Sequence, residues 1–470
     1  IGTINDAVWF LNSGGTYTPR DYAKETLTHD TGAKRFILRF DLGQVMKFYD
    51  FDTSHPVSRR GAFESFTDQA GRTVTASFGA NDLISQFAQV NGSKSSTYDY
   101  TYYSSGAGLN RLRWVTLRVD GEKVTQAEYD YYDGTDAYGS SGDLRRVKLQ
   151  EWDGSAWVTT ATHYYRYFKA GDTDGVVNGL KYVVSPLGYA GLVAAGITPE
   201  TATDPQIAAY AVHAFKYNSD RSVKAEAVNG GTQNFGFTFS TSAFADDPNN
   251  WKWKTVQTLP DGNQETVYTN FQGLVILKVL VEAGSGSKWG EYFQYDDKAR
   301  ITLHATSAAI DLSTISDSNA GVVSLKASVG LITTYEYYGA TPPTGGVTGY
   351  LQYQKVKQGS GGTAVKVGEW LYTTRTVGSD RRVVPWKDIV YQSDSSGGSD
   401  AATTEYTYTW QGSTLQIDEL TVTLPVVATS QNGSGTANTW KQKFDAYGRV
   451  TWKLDERGYI TGYTYDLSTD

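Results

Sequence analysis

The hydrophobic positions of this chain recur with period two along nearly its whole length. Phe235, Phe237 and Phe239 alternate with Gly236, Thr238 and Ser240; Tyr335-Glu336-Tyr337 and Tyr406-Thr407-Tyr408-Thr409-Trp410 alternate in the same way. Aromatic or β-branched residues alternating with polar ones mark strands with one buried face. Thr and Tyr also suit strands. Turn signals separate these runs: Asn12-Ser13-Gly14-Gly15, Asp133-Gly134, Asp153-Gly154, Asp261-Gly262 and Asn432-Gly433. The pattern predicts a long series of hairpins. Helix signals are rare. The best is Asp204-Pro205-Gln206 through about Ala214, with an Asp cap and Pro at the first helical position. Thr198-Pro199-Glu200 could open a shorter turn, Asn81 to Ile84 is too short for a helix, and Ala308 to Val323 reads as a loop. Ser393 to Ser399, Gly359 to Thr363 and Pro342 to Gly346 are small-residue or Pro-containing stretches, expected as hairpin tips or insertions.

An internal repeat runs through the pattern. Phe66-Thr67-Asp68-Gln69-Ala70-Gly71-Arg72, Tyr295-Asp296-Asp297-Lys298-Ala299-Arg300 and Phe444-Asp445-Ala446-Tyr447-Gly448-Arg449 share an aromatic residue, Asp, two variable residues, Gly or Ala, then Arg. The first copy has one extra residue before its Asp. A looser copy runs from Tyr217 to Arg221, and Arg111 and Arg145 follow half-copies. The arginines fall near multiples of a unit of roughly 38 residues, within the range of repeat architectures. The unit has a physical reading. The aromatic ring buries a strand end, the Asp accepts turn N–H groups, the Gly supplies a positive φ, and the Arg opens the return strand with its fork free for a neighbouring carboxylate or carbonyl. A lone hairpin is marginal in water, so such units must stack.

These motifs resemble the YD-repeat, or rearrangement-hotspot (RHS), family in its degenerate bacterial form. The C-terminal stretch carries the resemblance best: Phe444 to Val450, then Asp455-Glu456-Arg457-Gly458-Tyr459-Ile460-Thr461, then Tyr463-Thr464-Tyr465-Asp466, where the last repeat is truncated. The resemblance extends from about Phe51 onward. It implies an all-β fold, a long twisted antiparallel sheet of stacked hairpins forming a spiral shell or solenoid-like array. Residues 1–50 are then an N-terminal β segment leading into a repeat array over 51–470. In related proteins such a shell surrounds a toxin domain or acts in cell adhesion. The family's self-cleaving core motif contains an Asp-Pro-Leu-Gly-like run. The nearest match, Ser185-Pro186-Leu187-Gly188, has Ser for Asp and lies mid-chain, so no cleavage residue transfers.

Composition narrows the chemistry. The 470 residues include 49 Gly, 34 Tyr, 12 Trp and no Cys. Disulfides and Cys-ligated metal sites are thereby excluded. The net charge of −8 argues against nucleic acid, and no apolar run approaches the ~20 residues of a membrane helix. The chain opens Ile1-Gly2-Thr3 without a basic leader, which is expected of a processed or excised piece.

Few residues suggest a site. Asp172-Thr173-Asp174-Gly175 resembles the start of a calcium loop but lacks the later acid, and Asp246-Asp247-Pro248-Asn249-Asn250 reads as a polar turn, so no metal and no cofactor is expected. The histidines, His29, His55, His163, His213 and His304, sit in no catalytic motif. Trp251 and Trp253, two apart, are the pair to consider for stacking on a glycan. Asn91-Gly92-Ser93 and Asn432-Gly433-Ser434 have the glycosylation pattern. The expectation is a non-enzymatic structural protein, extracellular or at the cell surface: a shell, a scaffold or a filament subunit completed strand to strand by copies of itself. The alternatives are the shell segment of a polymorphic toxin, with the payload in the rest of a longer parent protein, and a carbohydrate-binding adhesin.

Overall fold

The computed structural model describes residues 8–91, 94–392 and 401–465. One antiparallel sheet of 29 strands dominates it. The sheet starts at Thr26–Asp30 and ends at Ile460–Gly462. Each strand pairs with its predecessor and successor in the sheet, so among the described residues the terminal strands Thr26–Asp30 and Ile460–Gly462 are paired on one side only. The alternation seen in the sequence is the cause: Phe235, Phe237 and Phe239 lie in Gln233–Thr241, and Tyr406, Tyr408 and Trp410 in Ala401–Trp410. Two short hairpins stand outside the sheet, Phe10–Ser13 with Thr16–Pro19 and Ile310–Asp311 with Ser324–Leu325.

Among the described residues two α-helices interrupt the series. The first, α1 (Pro186–Ala194), was not among the predicted elements, although its signal is present: Ser185 accepts from the Gly188 N–H, and Pro186 fills the first turn. It gives the mid-chain Ser-Pro-Leu-Gly run a local structural role. The second, α2 (Asp204–Ala208), starts near its predicted place behind a Thr203–Gln206 capping box. It stops well before Ala214, because the strand His213–Tyr217 takes that segment into the sheet. Ala308 to Val323 is largely loop, with a 3-10 turn at Ser307–Ala309 and the start of the small hairpin.

In an antiparallel series, turns alternate between the two rims of the ribbon. The turns after Arg35–Arg39 and at Asp68–Arg72 lie on one rim, and those at Asp296–Arg300, 338–350, 377–380, 411–416 and Asp445–Arg449 on the other, as strand parity requires. These opposite rims meet. Val383 donates its N–H to the Asp41 carbonyl at 2.8 Å, Leu415 to the Gln69 carbonyl at 3.1 Å, and Tyr22 to the Lys298 carbonyl at 2.7 Å. Leu42 and Arg382 form a β-bridge. The ribbon therefore winds through one circuit and seals rim against rim, while the strand edges stay open.

A wound ribbon has little core. The accessible surface is 24800 Å² for 51.5 kDa, against about 17,000 Å² for a compact globule of that mass. Buried clusters form where an inserted segment covers the sheet. The 306–330 segment buries Ile276, Leu277, Tyr292 and Ile332; the two helices bury Tyr164 and Val184; and Tyr338, Tyr350 and Val383 are buried beside the rim contact.

Candidate functional site

The repeat turn is a clamp built by one carboxylate. At Asp296, Oδ1 accepts from the N–H of Lys298 and of Arg300, both at 2.9 Å, while Oδ2 accepts from Arg300 Nε at 2.8 Å. Asp68 does the same with Ala70, Arg72 and the Arg72 guanidinium. Asp445 does so with Tyr447, Arg449 and the Arg449 guanidinium. Burial pushes the Asp445 carboxyl up, but the bonds from Arg449 and Tyr447 outweigh it and hold the group below the usual carboxylate range. The residue before the Arg takes φ of +86° at Gly71, +79° at Gly448 and +63° at Ala299. The Ala at that position carries a modest strain that Gly avoids.

The tyrosine that closes the outgoing strand links one unit to the previous one. Tyr295 donates its hydroxyl to the Val275 carbonyl at 2.8 Å, and Tyr337 to the Ile301 carbonyl at 2.8 Å. Tyr131, Tyr217 and Tyr465 reach Leu112, Leu180 and Val450 at 2.8–3.0 Å. In each case the acceptor is the first residue of a return strand, and for Ile301 and Val450 that strand follows a clamped turn. The Arg of that turn lies under the same ring: Arg300 is 4.5 Å from the Tyr337 ring and Arg449 is 4.4 Å from the Tyr465 ring. At Asp296–Arg300–Tyr337 and Asp445–Arg449–Tyr465 the Asp, the Arg and the next Tyr thus form a relay from one unit to the next. Burial pushes the Tyr337 phenol up to about 12, with Arg300 pulling the other way. Phe66 and Phe444 hold the ring position without a hydroxyl. At Phe444 the link comes from Gln411, whose amide donates to the Phe444 carbonyl at 2.8 Å.

Not every motif residue has the same place. Arg221 sits at φ +72°, the position of Gly71, and Ser222 stands where Arg72 stands. Tyr217 keeps its ring position, and Asn218 takes the place of the Asp, with its N–H on the Ser222 carbonyl at 2.9 Å. Arg145 lies two residues beyond the closing position, which Asp143 occupies. It pairs with Asp130 at 2.6 Å instead. Asp466 lies outside the described residues, as do the whole of the 393–399 stretch and part of the Asn91 triplet. A copy that the sequence reading missed lies at Asn270, whose Oδ1 accepts from the N–H of Gln272 and of Leu274, both at 2.9 Å. The spacing from Asn270 to Gly273 is that of Asp68 to Gly71 and would have found it.

The rim contact is polar and specific. Tyr350 donates to Asp41 Oδ2 at 2.6 Å and Arg39 Nε to Asp380 at 2.7 Å. Arg72 reaches the Tyr447 carbonyl at 3.3 Å and lies 5.1 Å from its ring. A Cβ on Gly43, where φ is +90°, would stand 2.8 Å from Leu415. The Tyr350 phenol is raised strongly, by burial and then by the adjacent Asp41.

The remaining candidates resolve into structure. Trp251 does not offer a stacking face: it is 3% exposed and packs on Phe244 and Tyr268. Trp253 is 43% exposed, so the pair does not form one platform. The calcium-like turn is occupied by lysines: Asp174 pairs with Lys216 and Lys224, and Asp172 with Lys181. Asp247 caps the Asn249 N–H at 2.8 Å, and Asp246 pairs with Lys252. Among the described residues no group of three or more His, Asp and Glu could hold a metal ion. His29 and His55 flank the buried Asp50 at 2.8 and 3.3 Å, and His213 pairs with Glu226. Among the described residues no Ser, Thr or Tyr hydroxyl bonds a histidine nitrogen.

No protein-family model and no curated protein matches the sequence. Solved structures similar to it include a crystal structure of TcdB2-TccC3-Cdc42, at 11% identity, 94% coverage of this chain and a TM-score of 0.41. Another is the Photorhabdus luminescens Tc holotoxin pore with a mutated TccC3, at 11% identity, 93% coverage and a TM-score of 0.38. The chain spans 22% of the length of each of those two chains.

Proposed function

We propose that this chain is a non-enzymatic structural wall, a segment of a longer extracellular shell of the YD-repeat type, and that the sheet itself is the working part. The carrying observation is the accessible surface, 24800 Å², some 1.4-fold that of a compact globule of the same mass. Such an excess is what a ribbon with two wet faces exposes. The clamped turns and the recurring tyrosine links stiffen the ribbon and the rim contact fixes its curvature. The repeat motifs that resemble the YD family support the same reading. Small-angle scattering tests it. A compact chain of this length has a radius of gyration of about 23 Å. A wall gives a clearly larger value and a pair-distance distribution weighted to long distances, whereas a value at the compact figure would refute it.

A second reading, assembly of copies edge to edge, is favoured by the one-sided pairing of Thr26–Asp30 and Ile460–Gly462. Open strand edges recruit further strands. Light scattering across a concentration series separates the two: growth with concentration supports assembly, and a constant monomer mass removes it.

A further inference from the structure

Strands Val365–Val377 and Asp380–Tyr391 form a hairpin in which Arg375 and Arg382 stand directly opposite each other. Both side chains are therefore on one face of the sheet, and the two guanidiniums lie 5.2 and 6.0 Å from the same Trp410 ring. Like charges that face each other across an antiparallel pair repel, and an acid between them would relieve this. None is there. Among the described residues no Asp or Glu oxygen lies within 4.0 Å of either guanidinium.

Both arginines are oriented by one turn. Arg375 donates Nε to the Thr414 carbonyl at 2.9 Å and Nη2 to the Gly412 carbonyl at 2.8 Å, and Arg382 donates Nη1 to the Leu415 carbonyl at 2.9 Å. Neutral carbonyls position the cations without neutralising them. Among the described residues Arg375 Nη1 and Arg382 Nη2 bond no protein group, and Arg382 Nε is buried without a partner. Arg59 and Arg146 also have a buried, unbonded Nε, but each holds a carboxylate on another nitrogen, Asp82 at 2.8 Å and Glu200 at 2.9 Å. Arg382 has no such acid, and a half-buried charge without a counter-ion is costly. Burial holds its guanidinium below the usual arginine range, with the Tyr408 phenol pulling the other way. A hollow of about 450 Å³, with Arg375, Tyr408 and Trp410 in its lining, opens on this face and gives a solute access.

We propose that Arg375 and Arg382 together bind a tetrahedral oxyanion, phosphate or sulfate, as the counter-ion that the chain itself does not supply. Two guanidiniums call for two negative charges, and their unused N–H groups match the several oxygens of such an ion. Chloride brings one charge and no set of oxygens for the forks. The site adjoins the rim contact, because Arg382 is the β-bridge partner of Leu42. An ion bound to the folded chain therefore adds stability at that contact. The proposal is independent of the wall reading, which is tested by the shape of the particle.

The test is calorimetric titration of the full chain with inorganic phosphate, sulfate and chloride, each at the same ionic strength. Phosphate and sulfate are expected to bind saturably with a dissociation constant of about 1 mM or below, and chloride is expected to give no saturable heat. Arg375→Gln and Arg382→Gln each weaken phosphate binding by about tenfold or more, while Arg113→Gln, at an exposed arginine elsewhere, leaves it unchanged. Arg375 and Arg382 also hold the 412–415 turn, so the unaltered chain is probed as well. Phosphate is expected to slow phenylglyoxal modification of Arg375, mapped by mass spectrometry, and to leave the rate at Arg113 as it was. Phenyl phosphate identifies the source of the anion: tighter binding than inorganic phosphate assigns the site to a phosphoryl ester, and binding no tighter assigns it to the free ion, and both outcomes support an oxyanion site. Four results would overturn the proposal: no saturable binding of phosphate or sulfate; chloride equal to them; phosphate binding unweakened in both arginine variants; or modification of Arg375 indifferent to phosphate.

Discussion

Replacing Asp296 by Ala removes the acceptor of two backbone N–H bonds at 2.9 Å and the anchor of the Arg300 guanidinium. Bonds to a carboxylate contribute more than neutral ones, about 1.5 kcal/mol each, and the Arg–carboxylate pair adds a smaller amount because both side chains are one-fifth exposed. Water reaches the freed N–H groups on this rim and returns part of the loss. The expected destabilisation of this unit is about 2–3 kcal/mol. Asp296→Asn keeps an oxygen for both N–H groups and loses only the charge, at a cost of about 1 kcal/mol. Asn270 makes the same two backbone bonds with an amide oxygen elsewhere in this chain. Hydrogen exchange read by mass spectrometry resolves the effect locally. Peptides covering 288–305 lose about 30- to 150-fold protection in Asp296→Ala and about fivefold in Asp296→Asn. The loss extends into 331–337, because Arg300 then ceases to hold the Tyr337 ring. Protection unchanged by Ala, or lost equally with Asn and Ala, would refute the clamp.

Three further outcomes follow from the same contacts. Gly43→Val places side-chain atoms into Leu415 and forces a β-branched residue to positive φ, so it costs about 2–4 kcal/mol and raises exchange at 40–44 and 413–416 together. Trp251→Ala empties a buried ring position and lowers stability by about 3–5 kcal/mol without touching any exposed surface, as denaturant titration would report. The tyrosine links need protonated phenols. The Tyr337 pKa is raised to about 12, so its contribution is fully present below the ordinary phenol value near ~10 and disappears as pH rises through 12; circular dichroism should show the sheet failing over that window, together with phenolate absorbance at 295 nm, and a sheet intact beyond it would contradict the relay.

Much of this architecture is legible in the residues because hairpins are local. Alternation fixes strands such as Gln233–Thr241, and Asp-x-x-Gly-Arg fixes a turn whose bonds all lie within five residues. What the sequence hides is non-local. Arg221 reads as a motif arginine, yet only the backbone shows that it occupies the left-handed position. Trp251 reads as half of an exposed pair, yet its burial depends on Phe244 and Tyr268 and on the 306–330 segment that covers that part of the sheet. The copies at Asp68 and Asp445 look equivalent, but strand parity puts them on opposite rims, and that inequality lets Arg72 meet Tyr447 across 375 residues of chain. The links made by Tyr295 and Tyr337 reach back 20 and 36 residues, a spacing set by strand length that no short motif encodes.

The ribbon seals on itself, rim to rim, and a cross-link placed across that seam reads the contact directly. The chain contains no Cys, so an introduced pair reports without interference. Leu42 and Arg382 are β-bridge partners, a separation at which a disulfide can form. Oxidation of the Leu42→Cys, Arg382→Cys double variant under dilute conditions is expected to give a quantitative intramolecular cross-link, seen as faster migration of the unreduced chain on a denaturing gel and reversed by thiol. Free thiols under oxidising conditions, or cross-links only between chains, would contradict it.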